Sequence, residues 1–413
     1  MAEGHKRTER ADNPSPRAWC AFAGCCLLCA AAFGLPLLCF GVFVSPLVAN
    51  FGSSVTDVNL YYTFMTGSAV LSCALGERIL SRFMRATVLA GSVLMGAAYG
   101  LLAMMPAIPM VWLAGLVAGL CYPLCSSVLA PILINQWFSL RQGFLTGIAF
   151  AVVGVAGMVV SPLLAQAIAL FGWQWALSAM GVAIALCGIV AACWLVRPNQ
   201  SNGAEVACKD GRTTGSRAKG AADSVKLTTF RSFTPVAIAC VLCGFVGIMN
   251  TQINAVAQQS GFDAMTAATV LSCMSGGLLA GKIGLGLLKD AKNGVVAIAS
   301  GAALGIVGFA LMIAGLMQGA ATVLFMGAAL AGFATCLGTV APALLMGEAF
   351  PPACYGKAVA VGTSFINGGM ALSAPLYSLT FDGAGTYVPV VAACIAAAAA
   401  IALLCRAAAR SRA

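Results

Sequence analysis

The sequence predicts an all-α membrane protein of twelve transmembrane helices, arranged as two six-helix bundles related by a pseudo-two-fold repeat. Composition is the first reason. Of 413 residues, 61% are apolar and 8% are charged, against about 25% charged in a soluble domain, so the chain cannot cover a water-facing surface. A repeat is the second. WFSLRQGFLTGIAFAVVGVAGMVVSP (137–162) returns as AFPPACYGKAVAVGTSFINGGMALSAP (349–375), with Phe138 on Phe350, Gly143 on Gly356 and Ser161-Pro162 on Ala374-Pro375, at a period of about 212 residues. A period of half the chain is a duplication. The third reason is the placement of the cations, which follows from the spans.

Residues 1–17 are polar and charged and read as a solvated tail. The apolar run from Ala18 to about Pro46 is too long for a signal-peptide core and no clear cleavage site follows, so it is the first span. Runs of about 20 apolar residues, the length that crosses the hydrocarbon, continue at 57–77, 86–105, 109–134, 143–168 and 174–196. Residues 197–232 are Gly, Ser, Ala and charge without apolar periodicity, a flexible linker between the halves. The second half spans 233–256, 265–288, 294–316, 320–346, 357–380 and 387–405, and 406–413 is a second tail. With both termini cytoplasmic, the tails, the linker and the inner loops hold all but one of the 22 Lys and Arg residues. The exception is Lys282, inside the eighth span, while the outer loops carry only Asp57, Asp263 and Asp382. That is the positive-inside rule, and it places a multi-pass chain in the plasma membrane. The formal charge of +10 follows from topology and attraction to anionic lipid, so the lipid bilayer is a partner and nucleic acid need not be one.

Several chemistries are excluded on the same page. Most of the 18 Cys lie in apolar segments, where Cys acts as a small apolar residue. Cys26-x-x-Cys29 has no His or carboxylate beside it, and His5, the one His, is in the tail, so no metal site and no cofactor are expected. Gly276–Ile283 reads GGLLAGKI, close to a phosphate loop, but ends in Ile and lies within an apolar helix. ATP binding is therefore not expected. The spans offer no His and no carboxylate pair for an enzyme, and no appended domain for a receptor. Duplication about a long strap suits two moving halves better than a channel.

The residues left to carry function are few. Lys282 is a charge at membrane depth, where it costs several kcal/mol and normally faces a cavity or a partner. The other reading is a stem that snorkels, since Lys282 lies seven residues before Lys289, about 10 Å of helix rise from the inner end. Asn250, Asn254 and Gln258 are spaced four apart and share one face of the seventh span, with Gln252 and Gln259 on an adjacent line. Such amides either bind substrate or glue helices together; Gln258 and Gln259 are placed nearer the outer mouth. Gly143, Gly147, Gly154 and Gly157 leave the fifth span nearly bare along one strip, so another backbone can approach closely. No Asp or Glu lies mid-membrane, which favours exchange of anions, or a proton carried with the substrate, over a buried carboxylate relay.

Over nearly its whole length the chain resembles the major facilitator superfamily. FGVFVSPLVANFGSSVTDVNLYYTF (40–64), GLVAGLCYPL (115–124) and NQWFSLRQGFLTGIAFAVVGVAGMVVSPL, from Asn135, are similar to its oxalate/formate antiporter and monocarboxylate transporter branch. The resemblance implies a monomeric secondary transporter, antiporter or proton symporter, moving a small organic anion by alternating access. In that branch a helix-8 cation pairs with the substrate carboxylate, and Lys282 stands at that position. Tyr122 matches a helix-4 Tyr; Tyr61, Tyr62, Thr335 and Asn367 are further candidates. The branch's second cation, deep in helix 11, has no counterpart beyond Lys357 at the helix start, which suits a monocarboxylate better than a dicarboxylate. The fold also implies that the seventh span lines the central cavity. Its loop motif Gly-x-Leu-x-Asp-Arg-x-Gly-Arg latches the inner gate. GERILSRFMR (76–85) keeps Arg82 and Arg85 but has Ser81 for the Asp, whereas Gly286, Leu288, Asp290 and Lys292 preserve more of it. Arg141 marks the water side of the repeated turn. The alternative within transport is efflux of hydrophobic compounds.

Overall fold

The computed structural model describes residues 16–53, 55–138, 141–195, 233–262, 264–351 and 354–410. Most of the N-tail, the linker 197–232 and Asp263 lie outside them. Hydrocarbon offers no partner for a bare amide, so each span must close its own hydrogen bonds. All regular structure among the described residues is accordingly helical. The first half runs through α1 (Pro16–Phe43), α2 and α3 (both within Val55–Met104), α4 (Ile108–Trp137), α5 (Gln142–Phe171) and α6 (Trp173–Cys193). The second runs through α7 (Phe233–Gly247 and Met249–Gln259), α8 (Ala264–Ala291), α9 (Gly294–Gln318), α10 (Ala321–Ala349), α11 (Tyr355–Ala384) and α12 (Val388–Arg410).

One boundary differs from expectation. The loop predicted between the second and third spans is helical and breaks only at Phe83 (φ −136°, ψ 39°). ERILSRFMR contains neither Gly nor Pro, so nothing in it stops backbone hydrogen bonding; the chain turns at a single residue. Between α4 and α5, Arg141 takes the left-handed conformation (φ 56°) at the α5 N-cap, a strain of about 1–2 kcal/mol for a residue with a Cβ.

Apart from a π turn at the end of α6 (Ala191–Leu195), four of the described helices are irregular along their length, and these irregularities follow the duplication. α1 passes through a wide π segment, Cys29–Cys39, around Pro36, and α7 is interrupted at Ile248, about 212 residues on. α4 widens over Pro123–Ser127, and α10 is interrupted at Cys336, again about 212 residues on. Broken spans leave backbone groups free only where protein or a cavity can take them up, so both halves open their backbones at equivalent places.

Glycine sets the packing within each half. A side chain on Gly119 would collide with the Met65 carbonyl, and one on Gly277 with the Ala329 carbonyl, so α2–α4 and α8–α10 meet backbone to backbone. Between the halves the main contacts are α5 against α8 and α2 against α11.

Candidate functional site

The α5–α8 contact begins at the end of the bundle where α1 starts and α12 ends. Gly143 and Gly286 approach so closely that a Cβ on Gly143 would lie 2.7 Å from the Gly286 carbonyl oxygen, and a Cβ on Gly147 would collide with the Lys282 carbonyl. The bare strip read from the sequence is the strip in contact at these two positions; Gly154 meets only a Leu279 methyl, at 3.9 Å. At the same end, Asp290 of α8 accepts hydrogen bonds from the Gly143 and Phe144 amides at 2.9 and 2.8 Å. The N-terminus of α5 has no side-chain cap of its own; a carboxylate from the other half caps it and meets the positive end of its dipole. Asp290→Asn removes the charge and keeps the shape. It is expected to shift the ratio of closed to open arrangements about tenfold, from a cap-and-dipole contribution of about 1–2 kcal/mol. Spin labels at Arg141→Cys and Lys292→Cys would report a larger population at long separation.

The remaining gate candidates lie at the surface. Arg141 and Lys292 are exposed, and exposed Arg82 lies over the Phe83 ring at the α2–α3 kink, 5.5 Å from its centroid. Arg85 is exposed as well. Ser81 donates to the Arg78 carbonyl, and with Tyr355 and Gly356 of α11 it lines a cavity of about 190 Å³.

One and two turns deeper along α8 the contact reaches Lys282. It is 2% exposed, and its Nζ donates 3.0 Å to the Phe150 carbonyl of α5, across the interface between the halves. The stem therefore does not run toward the helix end. The thiols of Cys29 on α1 and Cys336 at the α10 interruption lie near the ammonium. Among the described residues no carboxylate pairs with it. A second bridge joins the halves between α4 and α11: the buried Tyr122 hydroxyl donates to Asn367 Oδ1, while Asn367 Nδ2 donates to the Thr363 carbonyl (2.9 Å) and to Cys73 Sγ of α2 (3.7 Å). Ser364 adds a bond to the Val70 carbonyl at 2.8 Å. Phe33 of α1 stacks on Tyr122, 5.0 Å between centroids.

The other candidates are placed differently. Asn250 is buried just past the α7 interruption, and its Oδ1 has no hydrogen-bond partner among the described residues. Thr335 is buried at the α10 interruption and donates to its own helix at Gly332. The side chains of Asn254, Gln258 and Gln259 lie outside the described set. Tyr61 sits inside the first half. Its hydroxyl donates to the Pro36 carbonyl freed by the α1 π segment (3.1 Å) and shares a hydrogen bond with Tyr99, and its ring stacks on Phe40. Tyr61→Phe is thus expected to lower stability by about 1–2 kcal/mol and to leave transport by the surviving protein unchanged, as melting and uptake measured together would show.

Sequence reading missed Phe150, Tyr99, Cys73 and Cys336. Phe150 contributes a backbone oxygen, which no side-chain pattern marks.

The family profile described as Major Facilitator Superfamily matches residues 26–318. No curated protein sequence matches. Among solved structures, the chain is similar to the proton:xylose symporter XylE bound to 6-bromo-6-deoxy-D-glucose, with 16% identity and a TM-score of 0.72 over 95% of each chain. It is also similar to the E. coli fucose:proton symporter FucP, with 13% identity and a TM-score of 0.62 over 94% of this chain and 98% of the other. At such identities the likeness establishes the fold.

Proposed function

Because the chain belongs to the Major Facilitator Superfamily, and is a membrane transporter rather than an enzyme, we propose that it moves a small organic anion, a monocarboxylate, across the plasma membrane. The observation that carries this reading is Lys282, a cation 2% exposed at the interface of the two halves, hydrogen-bonded to one carbonyl and paired with no carboxylate among the described residues. Burying an uncompensated charge costs several kcal/mol. A substrate anion would repay it, whereas a neutral sugar would not, although the two symporters named above carry sugars. Lys282 binds the anionic head; Tyr122, Asn367, Thr335 and the α7 amides Asn250 and Asn254 orient the rest. The halves rock about this centre, and the bridges at Lys282, Tyr122 and Asp290 break as the terminal side opens. That side is the cytoplasmic one, from the distribution of Lys and Arg.

The coupling follows from where the carboxylates are. Asp290 caps α5, and Glu348 caps α9 through the Gly294 and Val295 amides. Both lie at helix ends, so the driving force is exchange for a second anion or a proton that travels with the substrate. Uptake of labelled small carboxylates and neutral sugars into proteoliposomes, with and without a pH gradient, tests the reading. Saturable carboxylate uptake supports it; sugar uptake without carboxylate uptake would overturn it.

A further inference from the structure

We infer that the gate at the terminal side is latched along one edge only, where α5 meets α8, and opens first along the other, between α2 and α11. This rests on the rocking of the two halves proposed above and is independent of what they carry.

The duplication pairs the two edges. Gly143 and Phe144 at the start of α5 correspond to Gly356 and Lys357 at the start of α11, at the period of about 212 residues. The first pair meets Asp290 at the end of α8, whose carboxylate accepts from both amides. Gly356 instead faces the end of α2, across the cavity of about 190 Å³. Ser81, Met84, Asn135 and Gln136 of the first half line it with Tyr355 and Gly356 of the second. Ser81 is exposed and uncharged, and its hydroxyl donates to the Arg78 carbonyl of its own helix at 3.1 Å, so that proton stays within the first half. A cavity thus takes the place that a carboxylate fills at the α5–α8 edge.

The edges are also joined at different depths. Along α5–α8 the backbones approach from the helix ends inward, at Gly143 with Gly286 and at Gly147 with Lys282. Along α2–α11 the joining bonds run from Ser364 to the Val70 carbonyl and from Asn367 to Cys73 Sγ. Val70 and Cys73 lie eleven and eight residues before Ser81, which is about 12–17 Å of helix rise away from the gate.

Opening therefore has a different cost at each edge. Parting α5 from α8 gives up backbone packing, two charge-assisted hydrogen bonds and a carboxylate at the positive end of a helix dipole. Parting Ser81 from Tyr355 widens a cavity that is already there and leaves all of these in place. The deeper bonds, with Tyr122 on Asn367, still hold at that stage and serve as the pivot. The edge with less to lose parts first, and what leaves on the terminal side leaves between α2 and α11.

Double spin labelling tests this in the full-length protein, with the exposed Cys20 and Cys193 replaced by Ser. Ala86→Cys with Lys357→Cys spans the α2–α11 edge, and Arg141→Cys with Lys292→Cys spans α5–α8. With Ser81 in place, the first pair is expected to show the larger population at long separation. A gate that opened in one rigid step would give both pairs the same population, and that result would overturn the one-sided latch. Ser81→Asp puts a carboxylate opposite the α11 N-terminus and is expected to cut the long-separation population of the first pair about tenfold. Ser81→Leu has the shape of aspartate without an acceptor and is expected to leave that population unchanged. No fall in Ser81→Asp, as when Arg78, Arg82 or Arg85 draws the carboxylate away, would overturn the assignment of the difference to position 81. An equal fall in Ser81→Leu would overturn it too, since filling the cavity would then suffice. Fixed separations at both edges in every variant would remove the rocking reading, and this inference with it.

Discussion

Lys282→Met is expected to reduce carboxylate uptake at least a hundredfold while the melting temperature of the purified protein stays level or rises. The two effects have one cause. Lys282 is buried with a single carbonyl partner across the interface, so the folded protein bears the cost of holding a charge out of water. Methionine fills nearly the same volume without that charge, and replacing buried ions with apolar residues is often neutral or stabilising. A bound anion that loses its cation forfeits about 3–5 kcal/mol, which is about two to three and a half orders of magnitude in affinity. Lys282→Arg keeps the charge but exchanges a compact ammonium for a wider planar fork, and is expected to retain part of the activity. If Lys282 were a structural cation, stability and transport would fall together in Lys282→Met. That outcome would point to the efflux reading.

Gly147→Leu is expected to abolish transport by a different route, holding the terminal side open. Its Cβ would collide with the Lys282 carbonyl, and the next atoms of the side chain have nowhere to go while α5 and α8 are in contact. Overpacking of this kind costs about 3 kcal/mol or more, which moves a two-state equilibrium by over a hundredfold. Labels at positions 141 and 292 would therefore sit mainly at the long separation. Gly154→Ala is the control: its Cβ meets only a Leu279 methyl, at ordinary contact distance. Near-wild-type uptake is expected for it. If Gly147→Leu transports normally, the close α5–α8 approach is dispensable.

Together these variants separate what can be read from the chain and what cannot. The spans were legible because transfer of a helix into hydrocarbon depends on its own residues alone. So was the closeness of the α5 contact, since the bare backbone at Gly143 and Gly147 lets another backbone approach. Lys282 stood out for the same reason: a charge inside an apolar run is costly wherever that run packs. The helical course of 78–85 was not legible, because Arg and Ser at a membrane edge suit a helix end and a loop equally well.

Pairing was decided only by the tertiary structure. Tyr61 and Tyr122 look alike in sequence, each a tyrosine in an apolar span, yet one satisfies Pro36 and Tyr99 within its own half and the other reaches Asn367 in the opposite half. Asp290 was one of several charged gate candidates until it was found on the α5 N-terminus. The partner of Lys282 is a carbonyl on a helix of the other half, and every residue has a carbonyl. Composition and periodicity thus determined the helical spans and the cost of the buried charge, which are properties of single segments. Which groups meet depends on the rotation and depth at which helices far apart in sequence pack, and the close glycine contacts between backbones set that.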